Sequence, residues 1–177
     1  MESTYNALDY NKLISFIWSV ADDCLRDVYV RGKYRDVIIP MTVIRRFDAI
    51  IESKKTNIME IKKMAETQGW NVVKTLDTAT GLPFYNTSNF CLKDLKYETN
   101  RQNLKRSFEE YLNGFSENIK EILQKFDFNN QLTKMTDAGI LGSVIEKFTS
   151  SELNLSPYDE KNSYGEVIRK GLDNHAM

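Results

Sequence analysis

A chain of 177 residues is long enough for one domain with its own core, and 41% apolar with 28% charged residues is the balance of a folded globular protein. A formal net charge of −1 excludes a protein drawn to nucleic acid by bulk charge alone. Three prolines and eight glycines are too few for a turn-rich β architecture, so the fold expected is all-α, a multi-helix, bundle-like domain.

Glu2, Asn6 and Asp9 interrupt the start of the chain, so it does not open with a signal-peptide pattern. Over 11–25, Leu13, Ile14, Ile17, Trp18, Ala21 and Leu25 recur at helical spacing and predict an amphipathic helix. Trp18 lies on that stripe, which predicts core packing rather than an exposed aromatic platform with Phe16. Gly32 breaks a basic connection, and 34–53 then repeats helical spacing on two faces. One face carries Val37, Ile38, Met41 and Ile44, the other Val43, Phe47, Ile50 and Ile51, the pattern of a central helix. Pro40 either starts the regular part of this helix or kinks it. The apolar run 37–44 holds Pro40 and Thr42 and falls far short of the ~20 residues of a membrane span, so no membrane is expected.

A lysine-rich helix over 57–68 can end at Gly69, and the composition of 71–89, with Asp77-Thr78-Ala79-Thr80-Gly81-Leu82-Pro83, predicts a long loop. One helical turn is expected over 91–95. Leu104, Phe108, Tyr111 and Leu112 mark a helix over 102–113, with Gly114 as its left-handed terminator. Ser116 reads as the cap of a helix burying Ile119, Ile122, Leu123 and Phe126. Asp137 is the expected cap of a last helix with Ile140, Leu141, Val144, Ile145 and Phe148 on one stripe.

Catalytic patterns are sparse. His175 is the single histidine, which leaves no ready triad or histidine-based metal site, and no glycine-rich phosphate loop occurs. Asp22 and Asp23 are adjacent, so on a helix they diverge by about 100° and read as solvated or capping groups rather than a working pair. Cys24 and Cys91 match neither a metal-binding spacing nor a disulfide framework, so a reducing cytoplasm is the expected location. Asn86-Thr87-Ser88 and Asn154-Leu155-Ser156 match the glycosylation pattern but carry no weight without a secretion signal.

Charge is unevenly spread. The window 26–63 holds ten Lys/Arg against five Asp/Glu, a balance of +5; the window 107–160 holds four Lys against ten Asp/Glu, a balance of −6. Arg31, Lys33, Arg35, Arg45 and Arg46 are the candidates for contact with an anionic partner, because an arginine fork suits phosphate oxygens and a lysine supplies a compact charge. The competing reading is a solvated face, with Arg35 or Arg46 paired to Asp36, Asp48 or Glu52. Lys54, Lys55, Lys62 and Lys63 form a second, weaker group, interleaved with Glu52, Glu60 and Glu66.

Trp18-Ser19-Val20-Ala21-Asp22, followed by the block from Tyr34-Arg35-Asp36 to Arg45-Arg46-Phe47-Asp48, resembles the opening of the modification (methyltransferase) subunit of type I restriction–modification systems. The resemblance continues, in order, through Phe84-Tyr85-Asn86-Thr87-Ser88-Asn89-Phe90, Leu92-Lys93-Asp94-Leu95, Tyr111-Leu112-Asn113-Gly114-Phe115-Ser116-Glu117-Asn118, Ile122-Leu123-Gln124-Lys125-Phe126-Asp127-Phe128, Val144-Ile145-Glu146-Lys147-Phe148 and Asp173-Asn174-His175-Ala176-Met177. It implies an N-terminal helical domain over 1–155 and a linker over 156–177 leading to a catalytic domain absent from this chain. In that family the catalytic domain uses S-adenosylmethionine to methylate adenine N6 in DNA. No Asn-Pro-Pro-Phe/Tyr motif and no cofactor-binding glycine loop occur here, so no cofactor and no catalytic residue are expected in the chain itself. The partners implied are double-stranded DNA, a specificity subunit, a second modification subunit and a restriction subunit. The competing expectation is a helical protein–protein interaction module with no nucleic-acid role, working through its acidic second half.

Overall fold

The computed structural model describes residues 7–150, with side chains from Asn11 onward. His175, the Asn154 sequon, the closing block Asp173-Asn174-His175-Ala176-Met177 and the linker over 156–177 therefore lie outside the described residues. The fold is all-α, with eight α-helices among the described residues and an isolated antiparallel bridge between Asn86 and Phe115.

α1 (Ala7–Val20) runs into a widened π-helical turn over Ala21–Leu25. Its inward stripe is Leu13, Phe16, Ile17, Val20, Cys24 and Leu25. Trp18 is not part of it: the ring is half-buried on the flank, which corrects the expected core position. Phe16 takes the inward place instead, its ring edge-on to Phe148 at 5.3 Å.

A 3₁₀ turn over Arg31–Lys33 leads into α2 (Arg35–Glu52). Val37, Ile38, Met41, Ile44 and Ile51 are buried, while Val43, Phe47 and Ile50 on the second face are partly covered, so α2 is central as its two stripes predict. Pro40 sits inside this helix with its ring in the core rather than at its start, and supplies no N–H to the turn before it.

α3 (Lys55–Gln68) stops at Gly69, whose φ of 69° is the left-handed conformation that glycine adopts without strain. α4 (Val72–Ala79) folds back on α3. The long loop expected over 71–89 is thus helical in its first half. The Asn71 side chain caps α4 by accepting from Lys74 N–H at 3.0 Å, and the Thr75 and Thr78 hydroxyls bond back to carbonyls one turn earlier. Threonines that read as loop composition are satisfied inside the helix.

The remaining connection carries buried Phe84, Tyr85, Asn86 and Ser88 and ends in a 3₁₀ turn over Leu92–Tyr97. α5 (Arg101–Asn113) is capped by Asn100 and buries Leu104, Phe108, Tyr111 and Leu112. Gly114 follows, but with φ −74° it is no left-handed terminator. It is needed for space: a Cβ there would sit 2.6 Å from the Ser88 backbone nitrogen and 2.7 Å from Asn86 Oδ1.

Ser116 does precede α6 (Glu117–Lys125), yet its hydroxyl caps no N–H of that helix; it accepts from Tyr85 N–H and donates to Asn118 Oδ1. Ile119 and Leu123 are buried as expected, whereas Ile122 is exposed and Phe126 half-buried. α7 (Phe128–Ala138) contains Asp137 near its end, so Asp137 caps nothing downstream; Ile140 precedes α8 (Leu141–Phe148). Leu141, Val144, Ile145 and Phe148 form the clean stripe expected of α8. The core lies where α2, α5, α7 and α8 meet.

Candidate functional site

The five cations singled out in the sequence separate into two settings. Arg31, Lys33 and Arg35 are exposed around the amino-terminal end of α2, where the unpaired N–H groups of a helix carry partial positive charge. Arg31 rests over the Trp18 ring, its guanidinium carbon 5.7 Å from the centroid. Lys33 lies 3.8 Å from Asp36, a long and exposed pair that leaves the ammonium accessible.

Arg45 and Arg46 are about 15 Å further along the helix at 1.5 Å per residue. Arg45 is turned inward. Its Nη1 lies 3.2 Å from Asp48 Oδ2, with the two side chains 13% and 4% exposed, and its Nε is buried without a hydrogen-bond partner. Arg46 is half-buried on the adjacent position. Among the carboxylates of the expected pairings, Asp48 binds Arg45, Asp36 lies beside Lys33, and Glu52 meets Lys93.

Asp48 is the centre of a buried polar knot. Its Oδ1 accepts from Leu92 N–H and from the Tyr111 hydroxyl, both at 2.9 Å, which ties α2 to the 3₁₀ turn and to α5. Burial pushes its carboxyl above the ordinary value, against those two hydrogen bonds and the Arg45 charge, which pull it down. Tyr111, completely buried and facing Asp48, has its hydroxyl pushed well above the usual tyrosine range.

A second knot lies alongside. The Lys55 ammonium donates to Asn86 O at 3.2 Å, Asn86 Oδ1 at 2.9 Å and Ser88 Oγ at 3.4 Å. Asn86 Nδ2 donates in turn to Tyr111 O at 2.9 Å. Burial holds the Lys55 ammonium below its ordinary value and pushes the Cys91 thiol up to about 11, so Cys91 is no reactive thiolate near neutral pH. Neither knot was legible in the sequence, because each joins residues 25 to 63 positions apart. Beside Lys55 runs an open groove of about 460 Å³ along α3, lined by Lys62, Lys63, Glu60 and Glu66 among others; the interleaved charges give it no single sign.

Among the described residues no three His, Cys, Asp or Glu side chains are grouped to hold a metal ion, and no helix is long and apolar enough to cross a membrane. The accessible chemistry is therefore that of the exposed cations at the head of α2 and of apolar side chains on the α3–α4 hairpin, where Met64, Trp70 and Val73 are each more than half exposed.

No curated protein and no solved structure matches the chain. A family model does, over residues 13–148, a span covering α2–α8, both polar knots and all five cations. By that match the chain belongs to the HsdM N-terminal domain family, the N-terminal domain of the modification subunit of type I restriction–modification systems.

Proposed function

We propose that this domain grips the backbone of duplex DNA and joins subunits within a type I restriction–modification adenine-N6 methyltransferase. The observation that carries the reading is the trio Arg31, Lys33 and Arg35, held accessible at the head of α2 in a chain whose net charge is −1. Charge concentrated at one end of a central helix contacts phosphates without reading bases, so sequence choice falls to a specificity subunit. Arg45 belongs to a different role in this reading, as a brace for Asp48.

Subunit joining is supported by the exposed Met64, Trp70 and Val73, since a half-exposed tryptophan among aliphatic side chains has the character of an interface anchor. The partners proposed are a specificity subunit, a second modification subunit and a restriction subunit, in the cytoplasm. S-adenosylmethionine is proposed as the cofactor of the parent enzyme, with catalysis outside the described residues.

The test is a salt titration of duplex binding by the assembled enzyme carrying Arg31→Gln, Lys33→Gln and Arg35→Gln together. Each domain then has up to about three fewer charges to neutralise phosphates, so with two such domains in the enzyme the slope of log affinity against log salt should become shallower by up to about 5, with site preference kept. An unchanged slope would remove the trio from the interface.

A further inference from the structure

The second half of the chain brings a cation against the segment that leads into α2. Tyr29 is buried, and its hydroxyl donates to Gln131 Oε1 on α7 at 2.9 Å. Three residues on, along the same face of α7, Lys134 places its ammonium 4.2 Å from the centre of the Tyr29 ring. Tyr29 and Arg31 are two residues apart, so their Cα atoms lie within about 7 Å of each other. The side chain of Lys134 is exposed, and among the described residues it forms no ion pair. Arg31, over Trp18, is likewise supported by an aromatic face and free of a carboxylate among those residues.

Two cations from helices far apart in sequence are thus each held against a ring beside the head of α2. A ring face orients a cation while leaving its outward N–H groups to donate. An ion pair would neutralise it.

We propose that Lys134 is a phosphate-contacting residue, extending the face formed by Arg31, Lys33 and Arg35 from α2 onto α7, with the phosphodiester backbone as its ligand. This rests on the DNA reading above. Tyr29 is a positioning residue that holds α7 against the basic segment through Gln131 and carries the Lys134 ammonium on its ring.

The experiment is a salt titration of duplex binding by the assembled enzyme, comparing the parent with Lys134→Gln, Lys134→Arg, Arg31→Gln and, as a control on α6, the exposed Lys125→Gln. With two copies of the domain in the enzyme, Lys134→Gln should make the log–log slope shallower by up to about 2, so that a fourfold rise in salt weakens its binding up to about twelvefold less than it weakens the parent's. Lys134→Arg should keep the parent slope, Lys125→Gln should not alter it, and all variants should melt like the parent. If Arg31→Gln lowers the slope while Lys134→Gln leaves it at the parent value, the assignment of Lys134 is overturned and the DNA reading stands. If neither variant alters it, both fall.

Discussion

Removing Arg45 leaves Asp48 with a buried negative charge and, among the described residues, two hydrogen-bond donors, Leu92 N–H and the Tyr111 hydroxyl. Breaking a pair so largely buried should lower stability by about 3–5 kcal/mol, so Arg45→Ala should shift the urea midpoint strongly while leaving the salt dependence of DNA binding at the parent value. Adjacency to Arg46 made the two arginines look alike in the sequence; which one turns inward depends on Asp48 lying one turn further along α2. Gly114 is a comparable case of tertiary context. Gly114→Ala forces a methyl against the Ser88 backbone and the Asn86 side chain and should cost about 1–3 kcal/mol in a thermal or denaturant melt. Gly32→Ala, where an added Cβ meets nothing within 4 Å, is the matched control and should melt close to the parent.

Helices with an uninterrupted apolar stripe, α1, α2, α5, α6 and α8, could be placed from periodicity alone, because burial of one face is what stabilises them. α4 and α7 could not. α4 is short, with its threonine hydroxyls turned back on carbonyls, and α7 hides Phe128, Leu132 and Met135 among Asn, Gln and Thr. Missing α7 also meant missing Lys134, which sits in a segment whose overall balance is acidic. The α3–α4 hairpin carries the prediction at this scale. Trp70 is 53% exposed at the turn between the two helices, so Trp70→Ser should leave the melt of the isolated domain nearly unchanged. If the hairpin is an assembly surface, the same variant should weaken subunit association by about 2 kcal/mol or more, read by analytical ultracentrifugation of the complex. Full assembly at parent affinity would show that this tip faces solvent.

Across the whole molecule, the ionisable groups pushed upward by burial give a pH signature. The Cys91 thiol moves from 9.0 to about 11 and the Tyr29 hydroxyl from 10.0 to about 12. Unfolding lets each lose its proton earlier, so their stabilising contribution is complete below the unfolded values and fades as pH rises through 9–12. Lys55, with its value lowered by burial, acts in the opposite sense, so the comparison between variants is the diagnostic one. Cys91→Ser keeps a polar atom at the cap of the 3₁₀ turn and cannot ionise there; its melting temperature should fall less steeply than the parent's between about pH 9 and 11. The attachment of the α3–α4 hairpin has a consequence of its own. Its two helices pack chiefly on each other, and the Lys55 ammonium fastens α3 to the 84–90 connection. A pair of helices attached in this way should open before the core does, at the cost of one ammonium and the burial of Ile58 and Leu76, and amide hydrogen exchange faster on α3 and α4 than on α2, α5, α7 and α8 would show it.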